Sequence, residues 1–129
     1  MPKPEQCRYT REHEWVWLDG DEIRIGVTDF AQGELGEVIY VELKEVGATI
    51  ASGDEIGTIE SVKAVAEVYA PVAGEIVSRN EALADSPEQI NEQPLGDGWL
   101  ISMRPDDASE LEGLMDHAAY MRYLEDEGQ

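Results

Sequence analysis

The chain has 129 residues, with nine Lys plus Arg against 29 Asp plus Glu, for a formal net charge of −20. At about 100–200 residues per domain, that length predicts one domain with enough chain to bury a core without disulfides or a structural metal. The 42% hydrophobic content argues against wholesale disorder, and the acidic excess disfavours phosphate backbones and anionic lipid surfaces.

Residues 1–8 read as a flexible tail, which leaves 9–129 as a single domain. The N-terminal residues lack the apolar run of a secretory signal and the Arg and Ser content of a transit peptide. No stretch approaches the roughly 20 apolar residues of a membrane span, so a soluble, cytoplasmic, monomeric protein is expected. Trp15–Leu18 and Ile23–Val27 flank Asp19-Gly20-Asp21 and predict a hairpin, with Ile23, Ile25 and Val27 on one face. Thr28-Asp29 caps a short helix that ends at Gly36, and Val38–Leu43 follows as a strand. Further short strands are expected over Glu55–Val62, Ala64–Tyr69, Gly74–Val77 and Trp99–Met103, with helical turns at Glu81–Leu83 and Pro87–Ile90. From Asp106 the apolar spacing lengthens to three and four residues. It predicts a helical end in two pieces, broken near Gly113, whose Met and aromatic stripe packs on the strands.

Little in the sequence reads as catalytic. No glycine-rich loop has the spacing of a phosphate cradle, and no nucleophile elbow is present. His13 and His117 are far apart, Cys7 has no cysteine to pair with, and among 29 acidic residues carboxylate pairs arise by chance. Neither a metal site nor a free-standing enzyme is expected. Of the three lysines, Lys63 stands between two strand-like runs with small neighbours, in Ser61-Val62-Lys63-Ala64. A reversal there projects its amine into solvent on a flexible stem. Acylation of that amine would remove the charge and lengthen the arm. An ordinary solvated lysine is the alternative that the residues alone leave open.

Glu60-Ser61-Val62-Lys63-Ala64, followed by Tyr69-Ala70-Pro71-Val72-Ala73-Gly74-Glu75-Ile76, resembles the lipoyl attachment segment of the glycine cleavage H-protein family. Tyr9-Thr10, Glu12-His13-Glu14-Trp15, Gly26–Gln32, Leu35–Leu43, Pro87–Asn91 and Gly96–Ile101 follow the same family in order, so the resemblance runs from Tyr9 to Leu124. It implies a mainly β barrel-sandwich hybrid with short helices and a C-terminal helix, carrying Lys63 at a hairpin tip. It also implies a non-catalytic carrier, with lipoate amide-linked to Lys63. The carrier would take an aminomethyl group from a pyridoxal-phosphate glycine decarboxylase to an aminomethyltransferase, then be reoxidised by dihydrolipoamide dehydrogenase. In that picture Glu14 lies by the cleft that shelters the loaded arm, while Glu60 and Gly74 match positions read by lipoylating enzymes. The competing readings are a solvated strand-edge carboxylate for Glu14, a solvated turn flank for Glu60 and a tight-turn glycine for Gly74. For His13 and Trp15, packing is expected.

Lys44, Ala66 and Leu95 depart from residues frequent in the family, and Glu34 falls at a variable position near the cleft. A lipoyl domain of a 2-oxo-acid dehydrogenase is disfavoured because Val62 precedes Lys63 and no linker follows, and a biotin carrier because the tip lacks flanking methionines. Two alternatives to glycine cleavage remain: a lipoyl donor or relay for other enzymes, and an unmodified acidic interaction module.

Overall fold

The computed structural model describes residues 2–127, and its strands form where short apolar runs meet turn residues. The strands are Arg8–Tyr9 (β1), Glu14–Asp19 (β2), Glu22–Val27 (β3), Val38–Leu43 (β4), Thr49–Ile50 (β5), Glu55–Ser61 (β6), Val65–Tyr69 (β7), Gly74–Arg79 (β8) and Ile101–Pro105 (β9). The α-helices are Asp29–Leu35 (α1), Gln89–Glu92 (α2) and His117–Glu127 (α3), with 3₁₀ turns at Pro4–Gln6, Glu81–Ala84 and Ala108–Gly113. Six strands form one sheet in the order β1-β2-β3-β9-β8-β5, and β4-β6-β7 form a second. Ile25, Ile76 and Met103 from the first sheet meet Val38, Ile59 and Val68 from the second in one buried core. The expected β sandwich with short helices and a C-terminal helix is therefore observed.

The predicted hairpin closes at Gly20, at φ +69°, and pairs Glu14↔Val27 through Asp19↔Glu22. Strand β2 does not alternate, because it is buried on both faces. Val16 enters the main core, while Trp15 joins Cys7, Tyr9 and Tyr120 in a second cluster under α3. Gly26 opposite Trp15 makes this possible: a Cβ there would lie 2.6 Å from the indole ring. Thr28 caps α1 through its hydroxyl, which accepts from Ala31 N, and Gly36 ends it.

Three expectations are corrected. Over its described part, the supposed tail is docked: Pro4–Gln6 form a 3₁₀ turn, Cys7 is 2% exposed, and β1 pairs with β2. The apolar surface of Tyr9 and Trp15 gives the segment a seat that its own composition does not reveal. Strand β9 begins at Ile101, two residues later than expected, and includes Pro105 at its end, where the missing N–H interrupts no interior pairing. On α3 the inward residue is Tyr120, while Met121 is 40% exposed. Tyr120 stacks on Tyr9 at 4.5 Å, and its hydroxyl meets Thr28 Oγ1 at 2.8 Å and His13 Nδ1 at 2.9 Å. Those contacts set the rotation of the helix. The break near Gly113 is observed between the last 3₁₀ turn and α3.

Gly74 sits where β8 passes against β9, and a Cβ there would lie 2.4 Å from Arg104 O and 2.9 Å from Pro105 Cα. Both are backbone atoms and cannot move aside singly. Gly74→Ala is therefore expected to lose about 1–3 kcal/mol of stability, read as a lowered midpoint in chemical denaturation with an unchanged slope.

Candidate functional site

Strands β6 and β7 pair as far as Glu60↔Val65, and the reversal falls on Val62-Lys63, where Ser61 N donates to Ala64 O at 2.8 Å. Neither Val62 nor Lys63 has positive φ, so the turn does not use the left-handed conformations that ordinarily close such hairpins. The Ser61 hydroxyl compensates by accepting from Ala64 N at 3.0 Å and from Lys63 N at 3.3 Å. Val62 N donates outward to Glu37 O at 3.0 Å, tying the tip to the start of β4. Val62, Lys63, Ala64 and Val65 are all exposed, and Val62 and Val65 each show 63% of their surface. The lysine thus stands on a rigid base with its side chain accessible.

A cleft of about 260 Å³ begins beside this tip at Ala64 and Val65 and runs between α1 and β7. Its walls are largely apolar or small: Val27, Phe30, Ala31, Leu35, Ile59, Ala66 and Val68. Carboxylates from Glu12, Glu14, Glu34 and Glu67 also line it, together with His13. A larger groove of about 550 Å³ shares Glu12 and Glu14 with the cleft but takes no lining residue from the tip.

Glu14 is 2% exposed, which corrects the alternative of a solvated edge carboxylate. Its Oε1 accepts from Thr10 Oγ1 at 2.8 Å and its Oε2 from Tyr69 N at 2.8 Å. Burial pushes its carboxyl above the ordinary value of 4.5; the bonds from Tyr69 and Thr10 oppose that shift and the nearby Glu12 charge adds to it. His13 and Trp15 are packing residues: the indole N–H donates to Pro94 O at 2.8 Å, and the imidazole lies against Phe30 at 4.7 Å. Burial raises the Cys7 thiol to about 12, which leaves no thiolate at neutral pH.

Glu60 is exposed on β6, next to the tip, while Gly74 lies buried against β9 on the other sheet. Neither Glu60 nor Gly74 lines the cleft. Sequence reasoning assigns Asn91 no role beyond closing the family-matching run Pro87–Asn91, yet its side chain reaches the Gly36–Val38 segment beside the tip. No local signal marks it, because its partners lie more than 50 residues away.

A family model described as "Glycine cleavage H-protein" matches residues 7–127. The chain belongs to this family. It is 49% identical over 127 residues to a glycine cleavage system H protein of Anaeromyxobacter sp. (strain K), covering 98% of this chain and 99% of the relative. A Bacillus licheniformis H protein is 52% identical over 120 residues, covering 93% and 94%. The crystal structure of a Mycobacterium marinum H protein superposes with a TM-score of 0.76 at 38% identity, covering 86% of this chain and 97% of that one. Membership makes the protein a carrier component of glycine cleavage. Among the described residues no helix is long and apolar enough to cross a membrane, and no group of three or more His, Cys, Asp or Glu could hold a metal ion.

The raised Glu14 carboxyl makes a signed prediction. Its charged form is penalised in the fold, so its contribution to stability is fully present below 4.5 and is lost as pH rises through the higher folded value. Denaturant titrations from about pH 4 to about pH 8 should show wild type losing stability relative to Glu14→Gln as pH rises, then a constant difference. A difference that is flat throughout, or that grows in wild type's favour with pH, would contradict the assignment.

Proposed function

We propose that Lys63 carries lipoate through an amide bond and that the cleft beside it shelters the loaded arm during glycine cleavage. The observation that carries this reading is the exposed lysine on a braced two-residue tip, whose next residues, Ala64 and Val65, line the near end of a largely apolar cleft that leads to carboxylates. When attached, the group would supply a dithiolane whose S–S bond opens by two electrons, one sulfur taking the carried carbon and the other becoming a thiol, with the electron pair coming from the C–C bond broken as carbon dioxide leaves. The protein supplies position. The braced turn fixes the base of the arm, and the alanines along the cleft leave room for an extended chain against Leu35 and Ile59. A terminal amine in the cleft would lie among Glu12, Glu14, Glu34 and Glu67, where a carboxylate favours it through a charge-assisted hydrogen bond, while the apolar walls keep bulk water from the carbon–sulfur linkage.

The partners this reading requires are glycine decarboxylase, aminomethyltransferase, dihydrolipoamide dehydrogenase and a lipoylating enzyme, met in the cytoplasm by a monomeric carrier that catalyses nothing itself. A net charge of −20 suits that itinerary, since long-range attraction speeds encounter with basic faces without requiring slow release. Glu60, beside the tip, belongs to the surface a lipoylating enzyme would read. Gly74, buried between Ile50 and Pro105 on the other sheet, would bear on that recognition only indirectly, by keeping β8 seated against β9.

Intact mass and peptide mapping of protein made in cells supplied with lipoate and a lipoylating enzyme test the assignment. A single lipoyl increment on the Lys63 peptide is expected in wild type, and none in Lys63→Arg. An unmodified Lys63 under those conditions would return the protein to the reading of an acidic interaction module.

A further inference from the structure

We infer that Asn91 is a positioning residue for Lys63, acting through a platform centred on Gly36. The inference rests on the reading of Lys63 as the lipoylated residue and concerns what aims its amine. The Asn91 amide spends its hydrogen-bonding capacity on one short stretch of chain. Its Oδ1 accepts from Val38 N at 2.9 Å, and its Nδ2 donates to Gly36 O at 2.8 Å and to Gln32 Oε1 at 3.0 Å. The two oxygens need a donor and the Val38 N–H needs an acceptor, so the orientation of the amide follows from its partners. Gln32 is itself fixed, since its Nε2 donates to Asp29 Oδ1 at 2.9 Å. Beneath Asn91, Ile90 is fully buried, which anchors α2 in the core.

The stretch that Asn91 holds is the one on which Lys63 rests. Gly36 has φ +78° and ψ −157°, a conformation open essentially to glycine alone. Its bare Cα faces the lysine stem. A Cβ at Gly36 would lie 3.3 Å from Lys63 Cε, 3.8 Å from Cδ and 4.0 Å from Nζ. The next residue, Glu37, accepts from Val62 N, so one peptide segment braces the backbone of the tip and underlies its side chain. Asn91 grips that segment on both sides of Glu37. Loosening Asn91 would free the platform without altering any exposed residue of the tip. The fraction of encounters in which the amine points into an enzyme's active site would then fall.

The experiment compares wild type, Asn91→Asp and a matched control, Asn80→Asp, as full-length unlipoylated proteins. Asn91→Asp keeps the acceptor for Val38 N and removes both donors. Asn80→Asp removes two comparable donors, to Asp97 O and Trp99 O, in a different loop. Steady-state lipoylation by a lipoate-attaching enzyme is measured per folded molecule, with the folded fraction taken from denaturation curves. Asn91→Asp should lower kcat roughly tenfold while KM for the carrier changes by less than about twofold, and Asn80→Asp should match wild type. Equal kinetics in the two variants would reduce Asn91 to a purely structural role and overturn the inference. If Asn91→Asp fails to fold, wild type decides: a nuclear Overhauser contact between the Lys63 ε-methylene and Gly36 Hα is expected, and its absence overturns the platform. Failure of wild type itself to be lipoylated would sink the Lys63 assignment, which is a different result from a normally modified Asn91→Asp.

Discussion

The carrier site depends on reversing the chain at Val62-Lys63 without a glycine or asparagine at the turn. A turn built from negative φ values does not match the twist of the flanking strands and tends to splay them. Here the mismatch is absorbed by hydrogen bonds from outside the two turn residues: the Ser61 hydroxyl beneath the turn and the Glu37 carbonyl beside it. A glycine would have relieved the same problem locally but would also have loosened the base of the arm. The fold instead places a β-branched valine and a lysine at the tip and fastens them to β4.

The two sheets are unequal in size and in role. The six-stranded sheet supplies more of the core than the three-stranded one and has its own aromatic annex under α3, whereas β4-β6-β7 presents a hairpin outward from the same core. Strand β2 links these roles. Trp15 points to the annex and Val16 to the core, while Glu14 at its start reaches across to Tyr69 N at the end of β7. One strand thereby joins the sheets and delivers a carboxylate to the cleft, and burial of that carboxylate is tolerated because both oxygens accept hydrogen bonds.

The charge of the molecule acts over longer distances. The ion pairs of Arg79 with Glu81 and of Arg104 with Glu22 and Glu75 lie at the surface, 3.6 to 4.0 Å apart, where such pairs contribute little to stability. Most of the acidic excess is therefore free to set the field around the protein, and that field bears on association more than on folding.

The sequence by itself determined the features whose causes lie within a few residues of chain. The Gly20 hairpin, the Thr28 cap and Gly36 stop of α1, the positions of most strands and the exposed tip lysine were legible, and the ordered motifs made the family legible too. Only the tertiary structure decided that Cys7 and its neighbours dock against Trp15, that Tyr120 faces inward on α3, that Glu14 is buried against Tyr69, and that Asn91 grips the chain around Glu37. Each of these is a contact between segments far apart in sequence. Side-chain type limits which hydrogen bonds a residue can make, but the order of strands in the sheets sets which partners come within 3 Å of it.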